Sequence, residues 1–540
     1  MTLLRPQLPP AAPERPRAAR WPYAAVMALA AVVYLVDLRG ALDFDLDEVM
    51  YTLAGQNVAE AGSVSWGAEP VSVHPPLHFL LVGAWVLVTG TADGPLLDAL
   101  HAARWLGALL SIATIGMVGL IARRLTADGR LVVAAMALAL ADGFLIRFGR
   151  TALIEPTAVL AGLVVIYLAL RLRSAATPVY VAAAGLASGV ALLVKEPLLF
   201  TVAVPVAAAL LERDRVRLRR TAMALGVGIL IWCLFPLWAV TGGAGAWWWS
   251  EHDTSLRRIT GLLQVSGLNR PGVSSAGVFG DTFTTYASGY LIFAIGAAGL
   301  LVLVYQGRRG FGTTPAMLVA FGGLSYAFLG YCVLLGQANE QLTVYAAVPS
   351  VLLTALAWGS RPPRAVLAAG AVALLVGTAT WTSTVVLSRD DATERMGAYL
   401  TATLPCEPVN VTGNALRWAP VLPRNHAEAH RDGATAVQDG VRLFLLSPKD
   451  SRMRYGISSP ELDTFVRARG SRIVEFPSRR YERIELWSVP GASGTAPCGN
   501  APPAVSPHAS APRFLVLLGG LLVVVGADLF VGRAVRRRRS

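Results

Sequence analysis

Charge is what this sequence has least of. Only 15% of its 540 residues are Asp, Glu, Lys or Arg, whereas 54% are apolar and the mean hydropathy is +0.53. Length alone would suggest three or four soluble domains, but so little charge cannot cover that much apolar surface. Cysteine is scarce as well, with four in the chain and no C-x-x-C pair, so neither a disulfide scaffold nor a zinc ribbon is encoded. H-E-x-x-H, the P-loop, and G-x-G-x-x-G in a strand–helix setting are also missing, which argues against zinc-peptidase or nucleotide-driven chemistry. Acids are outnumbered, 34 against 47 Lys and Arg, for a net charge of +13. The excess does not mark a nucleic-acid partner. It falls in short clusters (RPRAAR, ARRL, RLR, ERDRVRLRR, GRRG, SRPPR, RRRR) between apolar runs, as cytoplasmic loops of a membrane protein do.

What the chain has in quantity is apolar runs long enough to span a bilayer, which takes roughly 20 residues each. We place spans at 22–38, 100–121, 131–147, 153–170, 178–194, 198–211, 221–241, 289–305, 315–335, 342–358, 364–387 and 513–532. With the N-terminus inside, these twelve crossings put the main basic loops in the cytoplasm. Residues 1–21 read as a disordered cytoplasmic tail, the first span as retained rather than cleaved, and 533–540 as a basic cytoplasmic tail. The run at 74–90, HPPLHFLLVGAWVLVTG, is short and opens on two prolines. It is expected to be a juxtamembrane helix, since counting it as a span would reverse the sidedness of every later loop.

The membrane region 22–387 then has two outer loops, 39–99 and 242–288. Residues 388–500 alternate strand-like stretches (PVNVT, VRLFLLSP, RIVEF, ERIELWSV) with helix-like ones (DATERMGAYLTATL, ELDTFVRARG), predicting a small extracytoplasmic α/β domain. A linker at 501–512 joins it to the final span. Cys233 and Cys332 fall in spans, whereas Cys406 and Cys498 bracket the outer domain and are the disulfide candidates.

Ionisable groups at a bilayer are costly and by default mark function. Asp47 and Glu48 follow span one, with Asp43 and Asp45 just before them, and so many adjacent carboxylates call for a cation, a basic partner or a proton-transfer role. On the same side fall His74 and His78, Arg104, Arg147, Arg150 and Glu155 of RFGRTALIE, Lys195 and Glu196 of LLVKEP, His252, Arg257 and Arg258 of EHDTSLRR, and Glu340 of QANEQ. Plainer roles compete for some of them. Arg257 and Arg258 could snorkel to headgroups, Lys195 and Glu196 could pair locally, and Trp247–Trp249 could form an interfacial belt.

The runs DEVMYTLAGQNVAEAG, HPPLHFLL, RFGRTALIEP, LLVKEP and NEQLTVYAAVP, in that order, resemble the GT-C membrane glycosyltransferases, most of all glycosyltransferase family 39, the protein O-mannosyltransferase and aminoarabinose-transferase group. The resemblance covers roughly residues 20–400. It implies a GT-C-like helical fold and transfer of a sugar from a polyprenyl-phosphate carrier to a hydroxyl of a glycan, lipid or protein acceptor, in cell-envelope assembly. It puts Asp47 at the catalytic acid position, with Glu48 the next catalytic candidate, and Glu48, Arg104, Arg150 and Lys195 near the donor phosphate or supporting it. Glu155 departs from the family, which often has Asp there. No cofactor is implied, and a divalent cation is left open. The residues suit this chemistry on their own account: a carboxylate takes the acceptor proton, and cations stabilise a departing phosphate. The oligosaccharyltransferase signature WWDYG is absent. The rival from another class is a transporter or flippase of lipid-linked glycans, which should show inverted repeats; none is found.

Overall fold

The computed structural model describes residues 21–40, 44–66, 69–263, 275–359, 361–387, 390–411, 415–422, 425, 427–453, 459–478, 481–491 and 506–521. In the first part of the chain the apolar runs are helices, which satisfy their backbone groups internally. In order they are α1 (Trp21–Leu35), α2 (Leu46–Ala61), α3 (Leu77–Thr89), α4 (Leu96–Leu125), α5 (Gly129–Ala141), α6 (Gly143–Gly149), α7 (Glu155–Arg171) and α8 (Thr177–Val194). There follow α9 (Leu199–Val202), α10 (Val204–Leu211), α11 (Arg215–Trp232), α12 (Leu234–Thr241), α13 (Gly245–Ile259), α14 (Ser275–Gln306), α15 (Thr313–Leu334), α16 (Glu340–Leu356) and α17 (Arg364–Trp381). Among the described residues, six helices are long and apolar enough to cross a membrane, or seven if the bent pair α5 and α6 is one span. Shorter apolar helices lie at Trp21–Leu35, Leu77–Thr89, Glu196–Leu211, Glu340–Leu356 and Ala511–Leu521.

Two expectations need correction. The span placed at 131–147 is not continuous but turns by 61° between α5 and α6. Asp142 causes the break: its carboxylate accepts from the amides of Phe144 and Leu145 at 3.0 Å each, starting a new helix where the old one ends. The stretches 39–99 and 242–288, expected as loops around one short helix, instead carry α2, α3, α13 and the start of α14. The α2 and α3 helices pack closely through Gly55 and Gly83. A Cβ on Gly55 would come within 2.4 Å of Val82, and one on Gly83 within 2.6 Å of Val58. This contact fixes the helix that carries Asp47.

The later part of the chain adds α18 (Ala392–Thr403), β1 (Val409–Val411), β2 (Ala427–Glu428), α19 (Gly433–Gln438), β3 (Leu443–Leu446), α20 (Pro448–Met453), α21 (Pro460–Arg469), β4 (Ser471–Ser478) and β5 (Glu482–Ser488). The sheet order is β2-β1-β3-β5-β4, parallel across β1 with β2 and β3, and antiparallel around β5. The strand β3, LFLL, is buried on both faces, hence its unbroken apolar run. Leu443 and Leu445 face a core that includes Trp418, Tyr481 and Leu486, while Phe444 and Leu446 face Leu462 and Val466 of α21. The first core also takes in Phe44, Val49 and Leu100, so this unit rests directly on α2 and α4. A strap at 506–511 returns to the helices. Ala509 O accepts from Val64 N at 2.8 Å, Ala511 N donates to Gly62 O at 2.7 Å, and Trp238 Nε1 donates to Ser510 O at 2.8 Å.

Cys406 is disulfide-bonded, whereas Cys233 and Cys332 are in no disulfide. Cys498, Asp43 and the tails 1–20 and 522–540 lie outside the described residues.

Candidate active site

Much of the acid cluster is explained by helix capping. Asp45 is the N-cap of α2, and its side chain accepts from Asp47 N at 3.2 Å. Glu48, three residues on, reaches back to accept from Asp45 N at 3.0 Å, completing a capping box. Glu48 is fully buried and also accepts from Ala152 N at 3.0 Å. Its main partner is Arg104, likewise fully buried, which forks onto it through Nη2–Oε1 at 2.6 Å and Nε–Oε2 at 3.1 Å. Arg104 also donates to Leu38 O at 3.3 Å and lies over the Phe44 ring at 5.4 Å. The expected catalytic role of Glu48 and phosphate role of Arg104 therefore meet a closed pair, in which each charge is neutralised by the other.

Arg150 departs from expectation for a similar reason. It is 1% exposed and donates to the carbonyls of Val33 and Val36, both at 2.6 Å, and to Asp37 O at 3.2 Å. It thus satisfies the open C-terminal end of α1, where a cation is favoured.

Asp47 differs from its neighbours. It is half-buried, and its Oδ2 accepts from Gln341 Nε2 at 2.7 Å. Burial first, and then the Asp45 carboxylate, push its pKa up to about 6, with the Gln341 bond pulling the other way. Lys195 and Glu155 lie within its electrostatic reach. Those two form a buried pair, Nζ–Oε1 at 2.5 Å, between the N-terminus of α7 and the C-cap of α8. Lys195 therefore does not pair with its sequence neighbour Glu196. Burial is the strongest single influence and works against its charge, but Glu155, Tyr345 and Asp47 together outweigh it and hold its pKa above the ordinary lysine value. Glu155 Oε2 is buried without a hydrogen-bond partner, and the buried Tyr345 hydroxyl lies beside Lys195.

An aromatic wall closes one side. Tyr51, one turn after Asp47, packs edge-on against His74 and His78, each at 5.9 Å between ring centres. His78 Nδ1 bonds Thr157 Oγ1 at 3.1 Å, and His78 Nε2 and His74 Nδ1 have no partner. Burial, then Lys195, then His78 and His252 hold His74 well below its usual pKa, so it is neutral. His252 stacks on Trp248 at 4.1 Å and faces Glu196 Oε1 at 3.4 Å. Other expected site residues bind elsewhere. Glu340 accepts from Tyr286 OH at 2.9 Å, and Arg257 pairs with Asp253 one turn away on the exposed face of α13. Arg258 is half-buried with its Nε unpartnered and makes no ion pair among the described residues. Also among the described residues, no group of three His, Cys, Asp or Glu is placed to hold a metal.

The sequence reading missed Tyr51, Thr157, Gln341 and Tyr345. Tyr51 stands one helical turn after Asp47, and Gln341 and Tyr345 are one turn apart in NEQLTVYAAVP, so helical spacing was the available signal.

Residues 91–242, from just before α4 to just past α12, match the family model of dolichyl-phosphate-mannose-protein mannosyltransferases. No curated protein matches the sequence significantly. Among solved structures, ArnT from Cupriavidus metallidurans bound to undecaprenyl phosphate superposes with a TM-score of 0.58 at 15% identity, over 88% of this chain and 100% of that one. The Archaeoglobus fulgidus oligosaccharyltransferase gives 0.54 at 12% identity, over 84% of this chain and 73% of that one. The same organism's AglB, in complex with an inhibitory peptide and a dolichol-phosphate, gives 0.53 at 12% identity, over 86% and 74%. At these identities the superpositions speak for the fold, and the family match speaks for the segment it covers. The chain therefore shares the fold of these glycosyltransferases, and over residues 91–242 its sequence matches the dolichyl-phosphate-mannose-protein mannosyltransferase model.

Proposed function

We propose that this protein is an inverting glycosyltransferase that moves a sugar from a polyprenyl-phosphate carrier to an acceptor hydroxyl at the extracytoplasmic face of the membrane. The observation that carries this reading is the contrast within one helical turn. Glu48 is neutralised by Arg104, while Asp47 keeps a raised pKa near a buried lysine. A carboxylate of pKa about 6 is ionised at neutral pH yet basic enough to take a proton. The acceptor oxygen attacks the anomeric carbon as its proton passes to Asp47, the glycosyl–phosphate bond breaks, and the polyprenyl phosphate leaves with the electron pair. Lys195 stabilises the phosphate charge, and Glu155 keeps the lysine protonated in its buried setting. Arg258, free of ion pairs among the described residues, is the second candidate for the phosphate. Glu48, Arg104 and Arg150 brace α2 and α1 so that Asp47 is held in place.

The carrier class is supported by the undecaprenyl phosphate of the ArnT structure and the dolichol-phosphate of the AglB structure. For topology we propose twelve crossings with both termini cytoplasmic, and the five-stranded unit outside, tied by a Cys406–Cys498 bridge. The α3 helix, Leu77–Thr89, stays out of the count because one more crossing would reverse the sidedness of every later basic loop. The experiment is transfer from polyprenyl-phosphate sugars to envelope acceptors by purified protein, with a new glycosidic bond as the readout. Substrate flux without that bond would mean a flippase. Labelling of an Ala127→Cys variant from the outside only would refute the topology.

A further inference from the structure

A cavity of about 600 Å³ lies apart from the Asp47 cluster, between the C-terminal end of α3 and the first turns of α4. Its lining includes Arg39, Asp98, His101, Trp85, Trp105 and Leu109, and none of these takes part in the transfer site described above. The walls are fixed. Trp85 Nε1 donates to Ala102 O at 2.7 Å. The α3–α4 loop is pinned by Gln56, whose Nε2 donates to the carbonyls of Thr91, Ala92 and Gly94 at 3.3, 3.0 and 3.1 Å.

The polar groups of the cavity, by contrast, are unspent. His101 Nε2 is buried with no hydrogen-bond partner, and Arg39 and Asp98 make no ion pair among the described residues although both lie within electrostatic reach of His101. Along α4 the lining descends one face at helical spacing: Asp98, His101 and Ala102, Trp105, Leu109. That is charge at the helix end, an aromatic ring next, and aliphatic surface about 16 Å down. Trp105 and Leu109 are 43% and 41% exposed on a helix apolar enough to cross the membrane, so the lower end opens to lipid. Tryptophan beneath a charged rim is the profile of the bilayer interface.

We propose that this cavity binds the head of a bilayer phospholipid carrying phosphoethanolamine, with the start of its acyl chains along Trp105 and Leu109. One cation, Arg39, and one carboxylate, Asp98, on the same rim complement a zwitterion. Arg39 and His101 Nε2 donate to the phosphate, and Asp98 accepts from the primary ammonium. A polyprenyl phosphate has no positive group for Asp98 and would be repelled by it. A choline head carries charge but no N–H donor. Because Arg104 lies one turn below His101 on α4 and holds Glu48, a bound lipid would also steady the helix that braces the transfer site. The site does not depend on the proposed transfer chemistry.

The test uses full-length protein, delipidated in detergent. Retention of phosphatidylethanolamine, phosphatidylcholine, phosphatidylglycerol and undecaprenyl phosphate is then compared by native mass spectrometry, alongside the thermal midpoint. Wild type should retain phosphatidylethanolamine about tenfold better than phosphatidylcholine and show a raised midpoint with it, the worth of one charge-assisted hydrogen bond. Asp98→Asn should erase that preference. Arg39→Gln, a change at an exposed side chain, should weaken retention of all three phospholipids. Equal retention of the ethanolamine and choline lipids by wild type, or a preference unchanged in Asp98→Asn, would overturn the proposal. So would preferred binding of undecaprenyl phosphate lost in Arg39→Gln, which would assign the cavity to the carrier.

Discussion

Replacing Glu48 by Gln separates a structural brace from a catalytic acid. The change keeps size and shape but removes one charge of a pair in which both side chains are 0% exposed. Arg104 would stay buried without the carboxylate it forks onto. Losing one partner of a buried pair costs up to about 3–5 kcal/mol, because the carboxylate that offset the remaining charge is gone. Glu48 also accepts from the amides of Asp45 and Ala152, and an amide nitrogen at either position would face a donor with a donor. The expected result is a large fall in thermal midpoint and in the monodisperse fraction on size exclusion. The double variant Glu48→Gln/Arg104→Met removes both charges and should recover part of the loss. Glu48→Gln protein with unchanged thermal behaviour and lost turnover would refute the brace and make Glu48 a catalytic group.

Lys195→Met should weaken binding of undecaprenyl phosphate and lower turnover together, because the cation acts on the phosphate in ground and transition states alike; a normal carrier affinity in that variant would remove Lys195 from the phosphate site. With Asp47 near pKa 6, kcat/KM should rise about tenfold per pH unit below 6 and flatten above it, a profile read by rate measurements from pH 4.5 to 8.5. The sign for stability is opposite. An acid raised from 3.8 to about 6 costs stability once ionised, so at pH 8 Asp47→Asn should unfold later than wild type, by up to about 3 kcal/mol. Reduction of the Cys406 disulfide should destabilise the five-stranded unit by about 3–5 kcal/mol if it closes the loop of roughly 90 residues to Cys498; peptide mapping of non-reduced protein identifies the partner.

The helices could be read from the sequence because an apolar run near a bilayer has few other ways to satisfy its backbone. The strands at Leu443–Leu446 and Glu482–Ser488 lie where apolar and alternating runs placed them. Partnerships could not be read. Glu48 and Arg104 are 56 residues apart and Glu155 and Lys195 are 40 apart, and no local pattern says which acid meets which base. Proximity in sequence misled in one case, since Lys195 passes over Glu196 for Glu155. The break at Asp142 was hidden because a carboxylate inside an apolar run looks like an interruption, whereas here it is the N-cap of the next helix. Asp45 and Glu48 drew attention as a charge cluster although they also match the spacing of a capping box.

The central claim is that Asp47 takes the acceptor proton. Its most direct test compares wild type with Asp47→Asn, both shown to bind undecaprenyl phosphate, in single-turnover release of polyprenyl phosphate from a glycosylated donor in the presence of acceptor. Turnover should fall by about 10²–10⁴-fold with carrier affinity nearly unchanged. Equal rates of product formation in the two proteins would contradict it.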